Sequence, residues 1–174
     1  MEDSAAGFEI SLDDILLLGD PRLRAVCTAV QYNDLEKLDP MIEKMSKLVR
    51  LFKAEYGKGR AIAAPQIGLM VNLIVLNIDT TIPIINPKLT FPSDEKMEIW
   101  DDCMSFPNLM VKLKRYKQCV LQYKDRDWND QIWQLEDDMS ELLQHECDHL
   151  HGILAVDHAL DKNAFRWYKP HLNV

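Results

Sequence analysis

The chain has 174 residues, 47% of them hydrophobic and 28% charged, with a formal net charge of −8. That length buries one substantial core and is short for two, no apolar run reaches the roughly eighteen residues of a membrane span, and the acidic balance argues against a nucleic-acid surface, which needs clustered Lys and Arg to displace counterions. A single domain over residues 1–174 is therefore expected, with residues 1–10 as a short disordered extension and with neither DNA nor membrane as partner.

Asp20-Pro21 reads as a turn leading into residues 22–30. Apolar residues then recur with three-four spacing at Met41, Ile42, Met45, Leu48, Val49 and Phe52. Asp39 as cap, Pro40 as first helical residue and Gly57 as stop bound this predicted helix. Stretches 71–78, 82–89, 110–117, 119–124 and 131–135 are rich in branched and aromatic residues, are separated by Pro, Asn and Asp, and predict strands. Within the third, Lys112, Lys114, Arg115 and Lys117 alternate with apolar neighbours, as a strand's solvated face does. Residues 125–130 form the loop of a hairpin. A second helix begins at Asp138, which stands at capping-box spacing from Glu141, and runs to His151 with Gly152 as its stop. Helix, antiparallel strands, helix implies an α+β fold with a central helix packed against sheet. Cys27, Cys103, Cys119 and Cys147 show no C-x-x-C pairing and suit a reducing cytoplasm.

The second helix carries His145-Glu146-Cys147-Asp148-His149, an H-E-x-x-H motif. One turn separates the histidines, so both rings leave the same face and reach one divalent ion. Glu146 follows by about 100 degrees of helix rotation, which sets its carboxylate beside that ion to take a proton from water. A bland alternative is a helix whose histidines merely pair with neighbouring charges. Catalysis also needs a third ligand. The metzincin extension of the motif places a histidine where this chain has Ala155, with His158 a turn too far along, and the gluzincin arrangement needs a downstream glutamate where none follows Glu146. The ligand is therefore sought upstream, where Cys103 in Asp101-Asp102-Cys103-Met104-Ser105 is the best candidate.

Residues 59–66 (GRAIAAPQ), 101–105 (DDCMS) and 144–149 (QHECDH) together resemble the three motifs of the peptide deformylases, G-x-G-x-A-A-P-Q, E-G-C-L-S and Q-H-E-x-D-H. Residues 17–24 also resemble that family's N-terminal segment. The resemblance implies Cys103, His145 and His149 as ligands of one divalent metal ion, ferrous iron with zinc or nickel as alternatives, and Glu146 as general acid/base. It further implies oxyanion donors in the Gln66 side chain and the Met104 backbone N–H, and a substrate path along Gly59, Ala61 and Asp102. Asp101 pairing with Arg115 would support the site, and Gln144 and Asp148 would fix imidazole tautomers.

The implied activity is hydrolysis of the N-formyl group from the formylmethionine of nascent polypeptides, releasing formate, by a cytoplasmic monomer working at the ribosome, or in an organelle if a leader is removed. Ala61 for glycine, Asp101 for glutamate, Asp102 for glycine and an uncharged Met110 depart from the family pattern. They keep open hydrolysis of another N-formyl or short N-acyl amide. A noncatalytic binding protein of the same fold is the remaining alternative.

Overall fold

The computed structural model describes residues 10–168. Its layers follow from strands buried on both sides. In β2 (Leu73–Asn77), Leu73 and Val75 face one way and Ile74 and Leu76 the other, so an unbroken apolar run serves two cores. The first face is covered by α1 (Leu35–Tyr56), whose Met45, Leu48, Val49 and Phe52 pack with Ile62, Leu73, Val75 and Ile85. The second is covered by α2 (Asp137–Leu150), whose Leu142, Leu143, Cys147 and Leu150 pack with Ala61, Ala63, Ile74 and Leu121. Each Leu or Ile fully buried there contributes about 1.5–3 kcal/mol.

β2 belongs to a five-stranded antiparallel sheet in the order β1 (Ala61–Ala63), β2, β3 (Thr81–Thr90), β6 (Gln118–Lys124), β7 (Asp130–Glu136). A second antiparallel sheet orders β4 (Lys96–Asp102), β5 (Leu109–Tyr116) and β8 (Phe165–Trp167). Beneath it Cys103, Phe106, Val111, Leu113 and Ala155 form a smaller cluster. The α+β reading, with the motif-bearing helix packed on antiparallel sheet, is the architecture found.

Several local expectations are corrected. Helix α1 starts at Leu35 and not at Pro40, because Leu38 extends the buried stripe of Ile42 and Met45 upstream. Pro40 sits inside the helix on its exposed side, and Asp39 does not cap it but pairs with Arg126 at 2.6 Å. Gly57 ends α1 as expected, in the left-handed conformation with φ 70°. Helix α2 lacks the Asp138/Glu141 capping box, since both carboxylates turn to Arg60 at 2.9 and 2.8 Å. Strand β4 was not anticipated. Its apolar face, Met97 and Ile99, is short, and flanking charges disguise the alternation.

The basic stretch divides. Lys112 and Lys114 face outward to Glu98, whereas Arg115 lies on the buried face with Val111 and Leu113 at 4% exposure. Of the expected N-terminal extension, residues 1–9 lie outside the described residues, and Ile10 packs against the core beside α1. No helix among the described residues is long and apolar enough to cross a membrane.

Candidate metal centre

Helix α2 is aimed at the seam between the two sheets, and its buried positions there are polar: Gln144, His145, Glu146 and His149. Its end is fixed by Gly152, at φ 72°, where a Cβ would lie 2.4 Å from the Arg24 carbonyl oxygen. The loop after β4 brings Cys103 to the same point. Cys103 Sγ lies 3.2 Å from His149 Nε2, which lies 3.2 Å from His145 Nε2, and the donor atoms of all three are within 4.8 Å of one another. A tetrahedral ion with bonds of about 2.0–2.3 Å spans donor edges of about 3.3–3.6 Å, so the set fits one such ion. Two ring nitrogens turned on each other and on a sulfur are the donor set of a shared cation.

The two imidazoles are supported unequally. His145 Nδ1 is 3.1 Å from Asp101 Oδ2, which fixes the tautomer that leaves Nε2 facing the cysteine. His149 Nδ1 is buried without a partner among the described residues. Burial favours the neutral ring at both. At His149 it prevails and holds the imidazole well below its ordinary range, whereas at His145 the neighbouring Asp101 and Cys103 outweigh it and hold the ring well above. Burial also pushes Glu146 up to about 7, and its Oε2 has no hydrogen-bond partner among the described residues.

Gln66 reaches this point from the turn after β1. Its Oε1 accepts from the Ala63 N–H at 2.9 Å, which turns Nε2 toward Ser105 Oγ at 3.1 Å and Cys103 Sγ at 3.5 Å. Behind Cys103 the chain turns through Ser105 N–H to Sγ at 3.4 Å and Phe106 N–H to the Cys103 carbonyl at 3.1 Å; the Met104 N–H takes part in neither. A cleft of about 340 Å³ runs past Cys103 and Glu146, and Gly59, Ala61, Asp102 and Met104 all line it.

Asp101 pairs with Arg115 at 3.1 Å as expected, and it also grips His145, a role assigned from sequence to other residues. Burial favours protonating Asp101, but His145 and Arg115 outweigh it and keep the carboxyl below its ordinary range. Gln144 does not touch the ring of His145 or of His149. It bonds the Tyr116 backbone at 2.9 and 2.8 Å and so ties α2 to the end of β5. Asp148 likewise holds no ligand ring and pairs with Arg115 and His158. On a helix, its position next to His149 turns it about 100 degrees away.

Three cleft residues were missed from sequence. Lys58 Nζ lies 3.0 Å from Asp102 Oδ2 and neutralises the charge beside Cys103. Arg60 and Glu141 pair across the cleft wall, where burial pushes Glu141 up to about 7. Lys58 and Arg60 flank the first motif's glycine, which is the only signal they left; Glu141 left none.

The polypeptide deformylase family model matches residues 12–164. The chain belongs to the polypeptide deformylase family. Similar deformylases include that of Brachyspira hyodysenteriae, 32% identical over 158 residues that cover 84% of this chain and 80% of the relative. The crystal structure of the Thermotoga maritima peptide deformylase superposes with a TM-score of 0.77 at 29% identity, covering 84% of this chain and 97% of that one. The Synechococcus elongatus peptide deformylase, crystallised in complex with actinonin, gives 0.79 at 27% identity, covering 86% and 80%. Family membership makes the chain a metal-binding hydrolase.

Proposed function

We propose that this deformylase removes the N-formyl group from the formylmethionine that begins nascent polypeptides, releasing formate and a free amino terminus. The observation that carries this reading is the convergence of Cys103, His145 and His149 with Glu146 at the head of a cleft, in a chain of this family.

Cys103, His145 and His149 would hold the divalent ion, and a thiolate with two imidazoles suits ferrous iron, our choice for the native ion, or zinc or nickel. When bound, the ion polarises a carbonyl and brings the pKa of water toward neutrality. Glu146, buried and with an unpartnered Oε2, accepts the proton of the attacking water and returns it to the leaving amine. Gln66 Nε2 and the Met104 N–H donate to the formyl oxygen as charge gathers on it; the Ala63 bond to Oε1 keeps the amide from flipping. Asp101 keeps His145 in the working tautomer, with Arg115 steadying Asp101. The peptide lies along Gly59, Ala61 and Asp102.

We read residues 1–174 as one deformylase domain, supported by the match over 12–164. Four buried free cysteines support a reducing cytoplasm, where a monomer would meet substrates as they leave the ribosome. The test is formate release from formyl-Met-Ala-Ser by anaerobically purified protein loaded with ferrous iron. Wild type releases formate, and Glu146→Ala retains iron while losing about 10²–10⁴-fold in kcat/KM. Equal activity of the two proteins would remove Glu146 from the mechanism, and no release by iron-loaded wild type would overturn the reading.

A further inference from the structure

The buried Asp101–Arg115 pair does not end at Arg115. The other arm of the guanidinium, Nη1, donates to Asp148 Oδ2. That same oxygen lies 3.0 Å from Nε2 of His158. The contacts therefore run without a break from a side chain 40% exposed at the surface, through Asp148 at 22% and Arg115 and Asp101 at 4%, to Nδ1 of His145.

His158 is held firmly enough to act at that distance. It closes a 3-10 turn, Ala155–His158, whose first turn is capped by Asp157 accepting from the Leu154 N–H at 2.8 Å. Ala155 and Val156 pack into the cluster that contains Cys103 and Leu113, and the following Leu160 N–H donates to the Lys112 carbonyl on β5 at 3.1 Å. The imidazole thus comes from a segment pinned to the same strand that carries Arg115.

We propose that His158 is a positioning residue for the metal centre, acting through Asp148 and Arg115 on Asp101 and so on the orientation of His145. Arg115 is shared between two carboxylates, and its Nε is buried without a partner among the described residues, so its place depends on the balance between them. Asp148, the more exposed of the two, takes both Arg115 and His158 on one oxygen. Without the imidazole donor, Asp148 turns to solvent, Arg115 moves onto Asp101, and it competes with His145 for the carboxylate that fixes the ring. A weaker hold on the ring weakens the ion bound at its other nitrogen. Sequence offers His158 only as a failed third ligand; the fold gives it a different use.

This inference rests on the reading of Cys103, His145 and His149 as metal ligands, and the experiment separates the two. Cobalt binding to metal-free protein is measured by competition with a chromophoric chelator for wild type, His158→Ala and His158→Gln, together with the cobalt absorption spectrum and the Tm of each metal-free protein. Direct partners of ligating histidines are worth about 10–100-fold in affinity, so a residue three contacts beyond such a partner is expected to cost about 3-fold in His158→Ala. His158→Gln, whose amide nitrogen replaces Nε2, restores most of it. Cobalt affinity and spectrum equal to wild type in His158→Ala, whatever its metal-free Tm, would overturn the proposal. Failure of wild type to bind cobalt would instead remove the metal reading, and the proposal with it.

Discussion

Asp101 joins the two halves of the site by contacting both Arg115 and His145. Removing one partner of a buried ion pair leaves an uncompensated charge, at a cost of about 3–5 kcal/mol. Asp101→Ala is expected to destabilise by that much in urea unfolding and to weaken metal binding about 10–100-fold in chelator competition. Gln66→Ala keeps all three proposed ligands, loses only a long contact to Cys103 Sγ, and removes one proposed donor to the developing oxyanion, so kcat is expected to fall about 10²–10³-fold with metal content unchanged. His145, His149 and Glu146 stood out as a candidate set because one helical turn ties them together, whereas Cys103 and Gln66 drew their weight from the likeness to the family's motifs. Asp101's grip on His145 was not legible in the sequence, since the histidine's support comes from a strand distant in the chain. Gln144 and Asp148 flank the ligands in sequence and were credited with that support, yet the helix turns both away from the rings. Asp102 in place of glycine left the substrate open when read alone, and only the fold brings Lys58 to meet its charge.

Helix α2 places three site residues, and its end is set by a single glycine. At Gly152 a methyl group would meet the Arg24 backbone at 2.4 Å in a left-handed conformation, so Gly152→Ala is expected to cost about 2–4 kcal/mol and to weaken metal binding, as read by thermal unfolding with and without metal. The stops of both helices were legible because glycine's left-handed backbone is a local property. The start of α1 was not, and that of α2 was read within one residue, at Asp138 against Asp137, though its expected cap is absent. Asp39-Pro40 has the composition of a helix beginning, but packing of Leu38 carries α1 past it, and Arg60 draws off the two carboxylates that resemble a cap for α2. Strand β4 was hidden because a strand one face of which carries Glu98 and Trp100, and which ends in two aspartates, has little apolar pattern; its pairing with β5 makes it a strand.

Across the whole molecule, charge buried along the cleft ties stability to pH. Glu141 titrates near 7 in the folded chain, against 4.5 for an unperturbed carboxyl. A carboxyl raised by folding favours the folded state fully below about 4.5, and that advantage disappears as the pH climbs through about 7. Glu141→Gln removes this dependence, so its Tm relative to wild type is expected to rise by several degrees between pH 5 and pH 8. The proposed ligands also come from both layers: Cys103 follows β4 of one sheet, and His145 and His149 lie on the helix packed against the other. Binding at 1,000 times the dissociation constant adds about 4 kcal/mol, or about 8–16 °C in Tm, and chelation is expected to remove it. A ligand set drawn from both sides of a seam makes the bound ion a gauge of the gap between them. Under pressure or mild denaturant, the colour of a cobalt-substituted protein should fade as the sheets begin to separate, before the far-ultraviolet signal of either helix has changed.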